Sequence, residues 1–211
     1  YIGGAFPRTE SGRYYPLNDK TGKLIANMCL SSRKDFRNAV VAARGAFGGW
    51  STRAAFNRAQ ILYRIAEMLE TRKTQFIQEL MQQGSTAKGA EAEVDLSVDR
   101  LVYYAGWCDK YQQLFGSINP VATSHFNFSV PEPTGVVSVL AAQESSLISL
   151  VNAVAPVIAG GNTCVVLASE SKPLCAVTFA EVLNSSDVPG GVVNILTGKV
   201  SELLTHFANH M

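Results

Sequence analysis

Cysteine is scarce, with four residues in 211 (Cys29, Cys108, Cys164 and Cys175), and no CxxC or Cys/His cluster occurs. That excludes a disulfide scaffold and a thiolate zinc site, and leaves reduced, buried thiols in a cytoplasmic protein as the expectation. Charge of either sign is sparse too. Eighteen Lys and Arg face 17 Asp and Glu for a net charge of +1, which gives no electrostatic case for nucleic acid or an anionic membrane surface. Long apolar runs are missing: stretches 136–142 and 147–159 fall short of a membrane span and are broken by Ser149, Asn152 and Pro156. Histidine numbers only three, and His206 and His210, at i,i+4 spacing, have no third ligand in sight, so no metal is expected. The start, Tyr1-Ile2-Gly3-Gly4, lacks an initiator Met and the basic and apolar regions of a signal peptide, and reads as cut from something longer.

What is there is a core. Hydrophobic residues make up 47% of the chain against 17% charged, a globular composition. The chain divides into four stretches. Residues 1–30 hold short turn-punctuated segments, with Gly12 and the run Asn18-Asp19-Lys20-Thr21-Gly22 as turns, and read as an N-terminal β arm. Residues 31–115 read as helices packing on a sheet. The first is capped by Ser32 with Asp35 three residues on and ends at Gly48-Gly49; a second runs from 51 to 83; a third runs from 86 to 114. Residues 116–134 read as a β-ribbon with extended segments 121–123 and 125–130. Residues 135–211 alternate strands (136–140, 163–167, 192–196) with helices (147–159, 172–184, 201–210). Short apolar strands alternating with helices mean right-handed βαβ units and a parallel sheet. The fold class is α/β: a truncated Rossmann-like parallel half-sheet with a helical bundle and a β-ribbon oligomerisation arm.

One frame carries more than fold class. Thr134-Gly135-Val136-Val137, a loop, and a helix ending in Ala155-Pro156 and Gly160-Gly161-Asn162-Thr163-Cys164-Val165-Val166 resemble the coenzyme-binding lobe of the aldehyde dehydrogenase superfamily. Arg58-Ala59-Gln60-Ile61-Leu62, Tyr103-Tyr104-Ala105-Gly106-Trp107 and Pro189-Gly190-Gly191-Val192-Val193-Asn194 extend the resemblance along the whole chain in the family's order. It implies a lobe that takes NAD or NADP and an enzyme that oxidises aldehydes through a cysteine nucleophile. None of the four cysteines matches the nucleophile's motif, so no catalytic residue is assigned.

Inside the lobe the resemblance fails at working positions. The family's loop Pro-Trp-Asn-Phe-Pro-Leu reads Ala142-Gln143-Glu144-Ser145-Ser146-Leu147 here. Glu144 takes the place of the asparagine that donates to the oxyanion. An ionised carboxylate only accepts hydrogen bonds, and losing one such donor typically costs about 10²–10³ in rate. The alternative is that Glu144 is a solvated loop residue beside a helix N-terminal dipole. Where the family has Lys-Pro-Ser/Ala-Glu for the adenosine ribose, this chain has Ala168-Ser169-Glu170-Ser171, without the lysine; Lys172 lies beyond, at the helix start. Gly198 stands alone after its strand, with Val200 where a second glycine is usual, and a lone glycine more often makes a turn than a dinucleotide site. The candidate cofactor residues implied are therefore a degenerate set: Ala141, Ala142, Gln143, Ala168, Ser169, Glu170 and Gly198.

Three readings follow. The first is a non-catalytic aldehyde-dehydrogenase-like module with a structural or oligomeric role, resembling most the incomplete second module of family-sixteen members. The second is an N-terminal cofactor-binding fragment of a working NAD(P)-dependent enzyme. The third is a plain interaction domain in which the ribbon, with Phe126 and Phe128 on one face, pairs with a copy of itself or a neighbouring module.

Overall fold

The computed structural model describes residues 1–210. A hairpin of β1 (Tyr14–Asn18) and β2 (Leu24–Cys29) is followed by helices α1 (Arg33–Ser51), α2 (Ala55–Thr71), α3 (Lys73–Gln82), α4 (Ala87–Ala105) and α5 (Tyr111–Phe115). The ribbon β3 (Ser117–Asn119) and β4 (Asn127–Ser129) comes next. Then β5 (Val136–Leu140), α6 (Ile148–Ala159), β6 (Thr163–Leu167), α7 (Leu174–Asn184), β7 (Val193–Leu196) and α8 (Val200–Asn209) complete the chain. The sheet is parallel, in the order β5-β6-β7, as the alternation predicts.

Every residue of β6 and β7 is buried, which is why these strands read as unbroken apolar runs. On one face, α6 and α7 pack with α2, α3 and α4 into a large core around Leu62, Leu101, Leu150 and Phe179. On the other, Phe36, Val40, Leu203 and Phe207 bring α1 and α8 against Val165 and Leu167. Asp35 fixes the start of α1, accepting from the Ser32 amide at 2.7 Å, the Thr9 hydroxyl at 2.8 Å and the Glu10 amide at 2.9 Å. Burial opposes ionisation of Asp35, but these bonds outweigh it and hold the carboxyl below the usual carboxylate range.

Four expected helix and strand limits are corrected. Helix α1 runs through Gly48-Gly49 to Ser51. Trp50 beyond them is 1% exposed and its indole N–H donates to the Ile158 carbonyl at 3.0 Å, an anchor that offsets the roughly 1 kcal/mol cost of each helical glycine. The single helix expected over 51–83 is two, broken at Arg72, because no apolar residue falls on the buried stripe between Leu69 and Phe76. The helix expected over 86–114 stops at Ala105, and α5 begins only at Tyr111. In the ribbon the first strand is Ser117–Asn119, not 121–123, because Pro120 cannot donate to the ladder.

The sheet edges differ. The outer edge of β7 is met by Tyr1, whose nitrogen donates to the Ile195 carbonyl and whose carbonyl accepts from the Ile195 amide, both at 2.8 Å. Among the described residues, β5 pairs only with β6. The ribbon presents Ile118 (73% exposed), Phe126 (72%) and Phe128 (56%), with the two Phe rings 5.4 Å apart. Each of these three side chains keeps more than half of its surface exposed among the described residues.

Candidate functional site

In open α/β sheets ligands sit at the carboxyl ends of the strands. Here that region is formed by the segments after Leu140, Leu167 and Leu196. Ala141 and Ala168 carry the ladder one residue further, donating to the Leu167 and Leu196 carbonyls at 2.9 Å, and both are buried. Ala142 is exposed and makes no polar side-chain contact.

Gln143 ties the first two segments together. Its Oε1 accepts from the Glu170 amide at 2.8 Å and from the Ser169 hydroxyl at 3.3 Å. Its Nε2 donates to the Ala141 carbonyl at 3.1 Å, and its own carbonyl accepts from Ser171 Oγ at 3.1 Å. Lys172 reaches back to the same loop and donates to the Glu144 carbonyl. Gln143, Ser169 and Glu170 are thus brought together, joined to each other across the strand ends.

Glu144 is exposed in the loop, as its solvated reading expects. The carboxylate at the start of α6 is a different one. Glu93, from α4, accepts from the Leu147 amide at 3.0 Å and the Ile148 amide at 3.2 Å, answering the unsatisfied donors and positive end of the helix. Sequence reasoning missed it. The available signal is an acidic residue on the buried stripe of α4, beside Ala90, Val94 and Ser97.

Glu170 leans toward the third strand and accepts from the Val200 amide at 3.0 Å, capping α8. Tyr15 is the second residue missed: its hydroxyl is buried without a partner, and burial, reinforced by the charges of Glu170 and Cys29, pushes the phenol up to about 12. Gly198 is buried against the arm, where an added Cβ would lie 3.3 Å from the Ser31 amide nitrogen. It packs under the arm.

A second polar cluster joins α3, α7 and the loop before α6. Ser146 Oγ donates to the Lys172 carbonyl at 2.7 Å and accepts from Gln83 Nε2 at 3.2 Å. Nearby, Glu79 Oε1 accepts from Thr178 and from Gln75, while Oε2 is buried with no partner. Burial raises the Glu79 carboxyl above its usual range, against the opposing effect of these hydrogen bonds. The folded state therefore holds this proton to higher pH than the unfolded chain. Its stabilising effect is full below the usual glutamate range and is lost as pH rises through the raised folded value. We expect Glu79→Gln to gain on the parent in Tm as pH rises from the usual glutamate range toward neutrality, because the variant has no proton to lose. Melting curves across that range check it, and a constant difference would refute the assignment.

Cys108, Cys164 and Cys175 are buried as expected, whereas Cys29 is exposed, because it ends the edge strand β2 with its side chain outward. Burial pushes the Cys108 thiol up to about 11 and Cys164 up to about 12, so neither is a ready nucleophile. Among the described residues no group of three or more His, Cys, Asp or Glu could hold a metal. No helix among them is long and apolar enough to cross a membrane.

The sequence pattern of the Aldehyde dehydrogenase family fits residues 7–211. The Bacillus subtilis (strain 168) protein DhaS, whose name assigns it provisionally to the aldehyde dehydrogenases, is 31% identical over 215 residues, covering 100% of this chain and 43% of DhaS. The cytosolic 10-formyltetrahydrofolate dehydrogenase of Pongo abelii is 32% identical over 219 residues, covering 100% of this chain and 24% of its own. An aldehyde dehydrogenase from Bacillus cereus, solved as an NAD+ complex, superposes with a TM-score of 0.94 at 26% identity, over 100% of this chain and 43% of its own. The chain thus spans less than half the length of these relatives.

Proposed function

The chain belongs to the aldehyde dehydrogenase family, and on that premise we propose that it works as a non-catalytic, pseudoenzyme-like module of a cytoplasmic protein, keeping the fold for structure and assembly. The observation that carries this reading is the Gln143 tie. The carboxamide that spans the strand ends spends its hydrogen-bonding groups on Ala141, Ser169 and Glu170, residues that a dinucleotide would otherwise approach. Glu144 in place of an amide donor, and Ala168 in place of a lysine, support it from the chemistry. The finer likeness to the second module of family-sixteen members belongs to the same proposal, as does the division into segments 1–30, 31–115, 116–134 and 135–211. For partners, the exposed aromatic face of the ribbon supports pairing with a second copy or with a neighbouring aldehyde-dehydrogenase-like module.

A specific observation favours the second reading, a cofactor-binding part of a working enzyme. Glu170 keeps an acidic group at the strand ends, and the residues that could hold NAD or NADP remain Ala141, Ala142, Gln143, Ala168, Ser169, Glu170 and Gly198. Calorimetric titration with both cofactors separates the two. We expect no saturable heat up to about 1 mM cofactor, where even a weak site worth roughly 4 kcal/mol begins to fill. Saturation at micromolar concentration would overturn the non-binding reading in favour of the second.

A further inference from the structure

On the sheet face covered by α1 and α8, a cleft of about 380 Å³ opens between the first turns of α1 and the last turn of α8. That is the small end of the roughly 300–1,000 Å³ range of ligand pockets. Arg33 and Arg37 line one side, four residues apart on one helix face, and His206 and His210 line the other with the same spacing. Phe36 forms the floor. It is 1% exposed, stacks on Phe207 at 4.3 Å between ring centroids, and meets the His210 ring edge-on at 5.3 Å. The aromatic floor thus gives the His210 imidazole a packing partner beside the guanidinium groups.

The charge in this cleft is of one kind. No acidic residue lines it. The acidic neighbours in sequence are engaged elsewhere: Asp35 with Thr9, Glu10 and Ser32, and Glu202 with Arg13 at 2.7 Å. Among the described residues, neither Arg33 nor Arg37 takes part in a salt bridge. In a chain whose net charge is only +1, two unpaired guanidinium groups facing two imidazoles are a local excess. Guanidinium forks match the oxygens of a phosphate group in pairs, and imidazole N–H, Thr205 and Asn209 can donate to those left over.

We propose that this cleft binds the phosphate group of a small soluble phosphomonoester. The same chemistry could come from a lipid headgroup, but a concave site between two helices suits a free ester better than a flat membrane surface.

The test is a titration of the isotope-labelled chain with inorganic phosphate, followed by backbone amide shifts, with sodium chloride at matched ionic strength as the comparison. Saturable shifts confined to residues 33–37 and 205–210 are expected. In Arg33→Gln/Arg37→Gln binding should weaken about tenfold or more, with Tm unchanged because both side chains are exposed. Arg37→Lys, which keeps charge and loses the fork, should fall between. Shifts equal to those from chloride, undiminished binding in the double variant, or no saturation by roughly 50 mM phosphate would overturn the proposal. Binding to phosphatidic acid vesicles without binding of free phosphate would overturn it in favour of a membrane headgroup.

Discussion

Gly191→Ala is expected to destabilise the chain by about 2–5 kcal/mol, the sum of a left-handed backbone penalty and an overpacked contact. Gly191 sits at φ +93°, and a Cβ there would come within 2.5 Å of the Ala42 carbonyl oxygen and 3.1 Å of the Ala46 Cβ. The obstruction is backbone of α1, which cannot swing aside as a flexible side chain would. Relief requires α1 to lift from the sheet, loosening the contact of Val40 and Ala43 with Val165. Thermal and urea unfolding measure the loss, expected on the order of 10 °C in Tm. A midpoint within about 2 °C of the parent would mean that the turn before β7 adapts, contrary to this account.

Asn194→Leu should cost a similar amount for a different reason. Asn194 lies in β7 with no exposed surface, and both ends of its carboxamide are bonded. Nδ2 donates to the Gly191 carbonyl at 2.8 Å and the Cys164 carbonyl at 3.1 Å, while Oδ1 accepts from the Gly3 amide at 2.9 Å. Leucine fills the volume and leaves these groups without that partner, at about 1–3 kcal/mol for each one that water cannot reach. A total of roughly 3–5 kcal/mol is expected, with faster amide exchange at Gly3 as its local signature. Unchanged exchange at Gly3 would show that the arm does not depend on this side chain. Because Asn194 also braces the carbonyl of Gly191, the two substitutions should combine to less than their sum.

Both sites lie inside a motif visible in the sequence, Pro189-Gly190-Gly191-Val192-Val193-Asn194, yet the reason for each residue was not. What sequence carried well is local. The β5-α6-β6-α7-β7-α8 alternation was legible to within two residues, because buried parallel strands are short apolar runs bounded by Gly, Asn and Pro. The helix breaks at Arg72 and Gly106 were not, since charged and small residues are common inside solvent-facing helices and carry little stop signal. Pairings between distant segments were invisible. Glu93 caps a helix 54 residues further on, and Gln143 reaches Glu170 across 27 residues. The candidate positions could be named from the loop sequence, but that they would bond to one another depends on how two loops meet.

The bond from Tyr1 to Ile195 joins residues 194 positions apart. Synthesis runs from N- to C-terminus, so Tyr1 is made 194 residues before the strand edge that receives it. Helices and hairpins can close on themselves in microseconds, but this contact must wait for the segment between its two ends and bears a large loop-closure entropy. The segment around Tyr1 therefore acts as a late-closing clasp, and until it closes the β7 edge is open to other strands.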